Sequence, residues 1–150
     1  MTLKNRDVLS SDDFTKEEIL EILDKATEME SFNKPILSGK IMATMFFEPS
    51  TRTRLSFESA MLRLGGQVLG FSNPEATSFA KGESLHDAAK MIENYCDIMV
   101  VRNPVTGSVK EIAGASKIPV INAGDGSGEH PTQTLVDLYA IKKSQDKLDG

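Results

Sequence analysis

Cysteine occurs once in the 150 residues, and tryptophan does not occur at all. A single thiol cannot build a disulfide framework, so a reducing cytoplasm is the expected setting. Cys96 and the two widely spaced histidines, His86 and His130, do not make a metal site either. No apolar run approaches the ~18 residues of a membrane span. Met1-Thr2-Leu3-Lys4 lacks the apolar stretch of a secretion signal. Positive charge is in the minority: 17 Lys and Arg stand against 22 Asp and Glu, a net charge of −5. That balance argues against a nucleic-acid partner. Any anion site must therefore be built from local cations, against the overall field. No internal repeat or low-complexity tract is present. Gly124, Gly126 and Gly128 do not precede a phosphate-binding lysine, so there is no P-loop.

What is present describes a soluble globular protein of one domain, with 39% hydrophobic and 26% charged residues. A chain of this length buries roughly 70% of its extended surface, enough for a real core. Ile19, Ile22, Leu23, Ala26 and Met29 share a helical face, and Thr15 with Glu18 reads as a capping box. Strand and helix patterns then alternate. Residues 41–47 read as a strand, followed by a helix near 52–64 and a short strand from Gln67 to Phe71. Ser84 and Asp87 signal the start of a helix carrying Leu85, Ala88, Ala89 and Ile92. Asp97 to Arg102 reads as a buried strand, residues 107–114 as a short helix, and Pro119 to Asn122 as another strand. Pro131 opens a helix to about Lys143. The expected architecture is a three-layer α/β sandwich, with a central, mainly parallel sheet of four to five strands flanked by helices.

In such sheets ligands lie beyond the carboxyl ends of the strands. That rule brings Ser50-Thr51-Arg52-Thr53-Arg54, Arg102 and the Gly124–His130 segment to one edge. Arginine is the wrong sign for the first turn of a helix, whose N-terminus already carries partial positive charge. Two arginines and three hydroxyls there make sense around a multiply charged anion, with phosphate the obvious candidate. Alone, one of those hydroxyls would be an ordinary N-cap. His130 precedes Pro131 and so occupies the N-cap, where histidine is a poor choice. The helix N-terminus should lower its pKa and keep the ring neutral, able to donate one hydrogen bond to a carbonyl oxygen. Gln133, three residues on, reads equally as a site residue or as the reciprocal member of a capping box. Taken singly, Arg102 reads as a strand-end arginine reaching water, Lys81 as a solvated loop lysine, His86 as a surface helix residue and Cys96 as a small buried apolar group.

The assembled residues resemble the carbamoyltransferase family. The text that carries the resemblance is Phe47-Glu48-Pro49-Ser50-Thr51-Arg52-Thr53-Arg54-Leu55-Ser56-Phe57-Glu58, then Lys81-Gly82-Glu83-Ser84-Leu85, Val101-Arg102, Asn122-Ala123-Gly124-Asp125-Gly126 and His130-Pro131-Thr132-Gln133-Thr134-Leu135. The match is strongest to the carbamoyl-phosphate domain of the aspartate-specific members, and it runs in order over essentially the whole chain. Asn103-Pro104-Val105-Thr106-Gly107-Ser108 departs from the family's usual His-Pro-Glu-Gly-Ala.

The resemblance implies transfer of a carbamoyl group from carbamoyl phosphate to L-aspartate, giving N-carbamoyl-aspartate and phosphate on the way to pyrimidines, with no metal or organic cofactor. It implies that Ser50, Thr51, Arg52 and Thr53 hold the phosphate. Thr53, Arg102 and His130 would stabilise charge on the carbamoyl oxygen, and Gln133 would accept from the carbamoyl NH2. Ser78 and Lys81 match positions that reach into a neighbouring subunit's site in a trimer, and a regulatory chain is among the partners the family brings. Family chains are about twice this length, so residues 1–150 are expected to be the carbamoyl-phosphate-binding domain, without the domain that holds aspartate. Glu48 matches a position that pairs with arginines of that other domain and is expected to be idle here. Two other readings stand beside this one: a domain of an ornithine-type or related carbamoyltransferase, and a non-catalytic module that binds phosphate-bearing metabolites.

Overall fold

The computed structural model describes residues 3–145 and 148. Four strands, β1 (Ile41–Phe46), β2 (Gln67–Phe71), β3 (Ile98–Asn103) and β4 (Val120–Asp125), form one parallel sheet in the order β2-β1-β3-β4. Five α-helices flank it: α1 (Lys16–Met29), α2 (Thr51–Arg63), α3 (Leu85–Ile92), α4 (Ser108–Ala115) and α5 (Pro131–Gln145). The expected three layers are therefore present, with four strands. Single 3-10 turns at Ser11–Asp13, Pro74–Ala76 and Ser78–Lys81 complete the described elements.

Alternation along the strands builds two cores. Ala43 and Met45 of β1 and Met99 and Val101 of β3 meet Ala89 and Ile92 of α3 and Val109 and Ile112 of α4. Met42 and Phe46, with Val100 and Ala123, point the other way and meet Met61 and Phe57 of α2. Helix α5 packs on β4 and against α1, where Lys142 pairs with Asp24 and Lys143 with Glu30. Those exposed pairs contribute little each.

The helix starts follow the sequence signals. Thr15 Oγ1 accepts from the Glu18 N–H at 3.2 Å, and the Glu18 carboxylate accepts from the Thr15 N–H at 3.0 Å, a reciprocal capping box. Ser84 caps α3 by accepting from the Asp87 N–H at 3.0 Å. Helix α4 is capped from outside its own segment. Gly107 stands at its N-cap with φ +91 and no side chain to offer. The buried Asp125 at the end of β4 accepts from the Gly107 N–H at 2.8 Å and from Ser108 Oγ at 3.1 Å.

Two features exceed the sequence reading. Strand β4 continues three residues past Asn122 to Asp125, because Gly124 and Asp125, although turn-forming residue types, still lie alongside β3 with a register irregularity between Val101 and Asn103. The N-terminal segment also covers the outer edge of β4: Val8 donates to the Val120 carbonyl at 2.9 Å and accepts from the Asn122 N–H at 2.8 Å. Asp7 accepts from the Val120 N–H at 2.9 Å. The open edge of a sheet is a liability, and this segment closes it.

Gly70 of β2 has no room for a side chain. A Cβ there would sit 2.1 Å from the Thr44 carbonyl oxygen and 2.5 Å from its hydroxyl, on backbone with φ +149. Gly70→Ala is expected to destabilise the fold by about 3 kcal/mol through overpacking and strain. Urea denaturation checks this, and an unchanged midpoint would contradict it.

Candidate functional site

Strand order reverses between β1 and β3. From β1 the chain passes through α2 to β2 on one side, while β3 and β4 are added on the other. Such a switch point opens a crevice outside the strand ends. An open cleft of about 1070 Å³ lies there, lined on its polar side by Ser50, Thr51, Arg52, Thr53, Arg102, His130, Thr132 and Gln133, and elsewhere by Phe57, Ala60 and Val136. The structure thus brings together seven of the nine residues singled out from the sequence. Ser78 and Lys81 do not line this cleft; both are exposed on a 3-10 turn between β2 and α3.

Helices α2 and α5 both start at the cleft. Their first turns hold no acidic residue, whereas α1, α3 and α4 carry Glu17 and Glu18, Asp87, and Glu111 there. A carboxylate in the first turn would neutralise the helix terminus and repel an anion. The Ser50 side chain, at the N-cap of α2, makes no capping hydrogen bond. Arg52 has no ion pair among the described residues and lies exposed on the cleft wall. The two arginines of the motif separate here, contrary to the reading that both face the anion. Arg54 Nε is 2.6 Å from Glu58 Oε1, one helical turn on, and that carboxylate also accepts from Thr44 Oγ1 of β1 at 3.1 Å. The helical period turns Arg54 about 200° from Arg52, toward the sheet.

Arg102 extends from the end of β3 and is held on two sides. Its Nε donates to Glu48 Oε1 at 2.6 Å and its Nη1 to the Ala123 carbonyl at 3.1 Å, while Nη2 has no partner among the described residues. Glu48 is therefore not idle. Phe46 and Arg102 are register partners on adjacent parallel strands, so Glu48 emerges beside the guanidinium and pairs with the nearest cation. Gly124 makes the arrangement sterically possible: a Cβ there would lie 2.7 Å from Arg102 Nη1. Neither Gly124 nor the Glu48 pair was legible beforehand, because both depend on cross-strand neighbours.

His130 is half-buried immediately before α5. Its carbonyl accepts from the N–H groups of Gln133 and Thr134 at 2.9 and 3.2 Å, so it holds the capping position. Ring Nδ1 faces the Gln133 N–H at 3.4 Å and the Thr132 hydroxyl at 3.3 Å. A backbone N–H can only donate, so this contact favours the tautomer in which Nδ1 accepts and Nε2 carries the proton of the neutral ring, free to donate to an incoming carbonyl. The His130 pKa is lowered, as expected, but mainly by burial and next by the positive charge of Arg102; Asp137 opposes both. Gln133 does not close a capping box. Its Nε2 donates to Asp137 Oδ1 at 2.9 Å, which leaves Oε1 to accept.

Around this site, Asn103 Oδ1 accepts from the Val105 N–H at 2.9 Å, so the segment that departs from the carbamoyltransferase pattern forms its own tight turn below Arg102. Cys96 is half-buried, and burial pushes its thiol pKa up, away from nucleophile chemistry. His86 lies exposed on α3. Among the described residues no cluster of His, Cys, Asp and Glu could hold a metal ion, and no helix is long and apolar enough to cross a membrane.

Residues 6–143 match the family model described as the carbamoyl-P binding domain of aspartate/ornithine carbamoyltransferase. The chain is 56% identical to the aspartate carbamoyltransferase catalytic subunit of Thermococcus kodakarensis, over 100% of this chain and 50% of that one. It is 53% identical to the catalytic subunit of Methanopyrus kandleri, over 97% of this chain and 48% of that one. Among solved structures, the catalytic subunit of M. jannaschii aspartate transcarbamoylase superposes with a TM-score of 0.90 at 51% identity, covering 97% of this chain and 49% of that one. The Trypanosoma cruzi aspartate transcarbamoylase in complex with carbamoyl phosphate and aspartate superposes with a TM-score of 0.94 at 37% identity, covering 99% of this chain and 50% of that one. The chain spans about half the length of the relatives it matches.

The neutral state of His130 is open to direct test. Its ring is expected to titrate below its ordinary value of 6.5 in a proton NMR titration, and Arg102→Gln should move it back upward. A depressed folded-state pKa means that the unfolded chain binds the proton more readily. The stability held by neutral His130 is therefore full above 6.5 and is lost as pH falls from there through the folded-state pKa. Titration at or above 6.5 in the native chain would overturn the assignment.

Proposed function

The chain belongs to the aspartate/ornithine carbamoyltransferase family through its carbamoyl-phosphate-binding domain, and from that premise we propose that its cleft binds carbamoyl phosphate for carbamoyl transfer to L-aspartate. The observation that carries this reading is the meeting of Arg52, without an ion pair among the described residues, with Nη2 of Arg102 and the ring of His130 at two helix N-termini whose first turns hold no acid. Arg52, the hydroxyls of Ser50, Thr51 and Thr53, and the first N–H groups of α2 take the phosphate. Attack by the aspartate amine on the carbamoyl carbon forms the new C–N bond and drives negative charge onto the carbonyl oxygen. Thr53, Arg102 and His130 stabilise that charge as oxyanion donors do, before the C–O bond to phosphate breaks. The same phosphate contacts favour departure of the anion, and the amine loses its proton to solvent. Gln133 keeps its oxygen toward the carbamoyl NH2 because Asp137 takes its donor.

The aspartate contacts belong to this proposal only through the relatives, which are about twice as long. These 150 residues alone are expected to carbamoylate aspartate slowly or not at all. Titration calorimetry at low salt should show saturable binding of carbamoyl phosphate, and Arg52→Ala should reduce it by about 10- to 100-fold, as expected for loss of a charge-assisted phosphate contact. Equal heats for the two proteins would sink the reading.

Ser78 and Lys81 enter the proposal as residues that serve the cleft of a neighbouring copy in a trimer, with localisation in the cytoplasm. What supports this is their exposure away from their own cleft, and a lysine with no ion pair among the described residues. Light scattering should give a mass of about three times the 16.4 kDa chain. A single-chain mass at all concentrations would contradict it.

A further inference from the structure

Asn122 sits within β4 with only 2% of its surface exposed. A buried carboxamide needs partners for two donors and an acceptor. Asn122 finds all three. Its Nδ2 donates to the Leu9 carbonyl at 2.8 Å and to the Glu129 carbonyl at 3.1 Å, and its Oδ1 accepts from the Gly124 N–H at 2.9 Å. Glu129 is the residue before His130. Gly124 is the residue whose bare Cα leaves room for the Arg102 guanidinium, next to the carbonyl of Ala123 that accepts from it. One side chain thus ties together the loop that delivers His130 and the backbone that cradles Arg102.

We propose that Asn122 is a positioning residue, whose carboxamide sets the placement of the Arg102 guanidinium relative to the His130 imidazole across the cleft. The functional consequence rests on the carbamoyl-phosphate reading; the geometry does not. The N-terminal segment has anchors of its own in Asp7 and Val8, so loss of the carboxamide does not release that segment from β4. Losing it leaves the Glu129 carbonyl without this donor and loosens the His130 end of the exposed loop 126–129, whose start keeps its bonds from the Gly126 N–H to the Asn103 carbonyl and from the Gly128 N–H to the Asp125 carbonyl, both 2.8 Å. The groups that face the His130 ring are then rearranged: Arg102 from β3, and Thr132 and Asp137 from α5.

The test compares Asn122→Ala with Val120→Ala, a fully buried apolar change on the same strand. With only two histidines in the chain, the His130 resonance is assigned through a His86→Gln background. Asn122→Ala is expected to shift the His130 titration upward and to weaken carbamoyl phosphate binding by about tenfold, the scale of a lost supporting contact. Val120→Ala should lower stability while moving neither. If Asn122→Ala leaves the His130 titration unchanged, or Val120→Ala moves it as far, the inference falls. Should Asn122→Ala not fold, the native chain decides: the Asn122 side-chain amide protons must exchange slowly with solvent, and fast exchange overturns the claim. If the native chain binds no carbamoyl phosphate, the functional reading fails while the His130 comparison still judges Asn122.

Discussion

Parallel pairing of the four strands is the constraint from which the site follows. Because β1, β3 and β4 run in one direction, the residues after Phe46, at Arg102 and after Asp125 emerge on a single edge. Helices that follow those strands must start at the same edge, so α2 and α5 bring their positive ends to it. The reversal of strand order between β1 and β3 keeps the two sides apart and opens the cleft. Thr51, Arg52 and Thr53 reach that edge as the ordinary first turn of α2. The topology delivers them.

Charge then distinguishes residues that look alike in the sequence. Arg52, Arg54 and Arg102 are all cations near one strand edge, in a chain whose net charge is −5. Arg54 is held by Glu58 beneath α2, Arg102 is half-committed to Glu48, and Arg52 has no acid beside it among the described residues. An entering anion therefore meets one cation held ready by the absence of competing carboxylates. It meets a second whose orientation is fixed by a carboxylate on one nitrogen and a carbonyl on another. Fixed orientation matters because a guanidinium recognises an oxyanion through planar geometry as well as through charge.

Most of the fold was legible, for a reason visible in particular elements. The α1 capping box, the start of α3 at Ser84 and the extent of β2 all rest on short-range chemistry that the local sequence carries. What escaped was cross-strand or cross-layer. Asp125 caps α4 from another element, Glu48 finds Arg102 through strand register, and the N-terminal segment closes the β4 edge from more than 100 residues away in sequence. The same limit applied in the site. Seven of the nine expected residues line the cleft, because they follow strands and open helices. Helical period could have separated Arg54 from Arg52 without a structure, since Glu58 stands four residues after Arg54 and three-dimensional proximity follows. Ser78 and Lys81 lie off the cleft, on a turn that follows the edge strand β2.

The shape of the cleft bears on how strongly its charges act. At about 1070 Å³ it is much larger than a phosphate group, and one wall is apolar, with Phe57, Ala60 and Val136, the last 59% exposed. An anion at the polar end remains in contact with water, so its attraction to Arg52 is screened by solvent and salt. His130 is half-buried and Arg102 is enclosed by Gly124, Ala123 and Glu48, whereas Arg52 is exposed, so under the proposed reading the carbonyl of the ligand meets the less solvated donors and its phosphate the more solvated ones. That asymmetry fits the proposed chemistry. Phosphate capture needs charge and tolerates water, whereas an oxyanion at a carbamoyl carbon gains most from donors that are fixed and dry. The open apolar wall is where water would have to be displaced to extend that dryness over the whole ligand, and it is the part of the cleft that these residues leave uncovered.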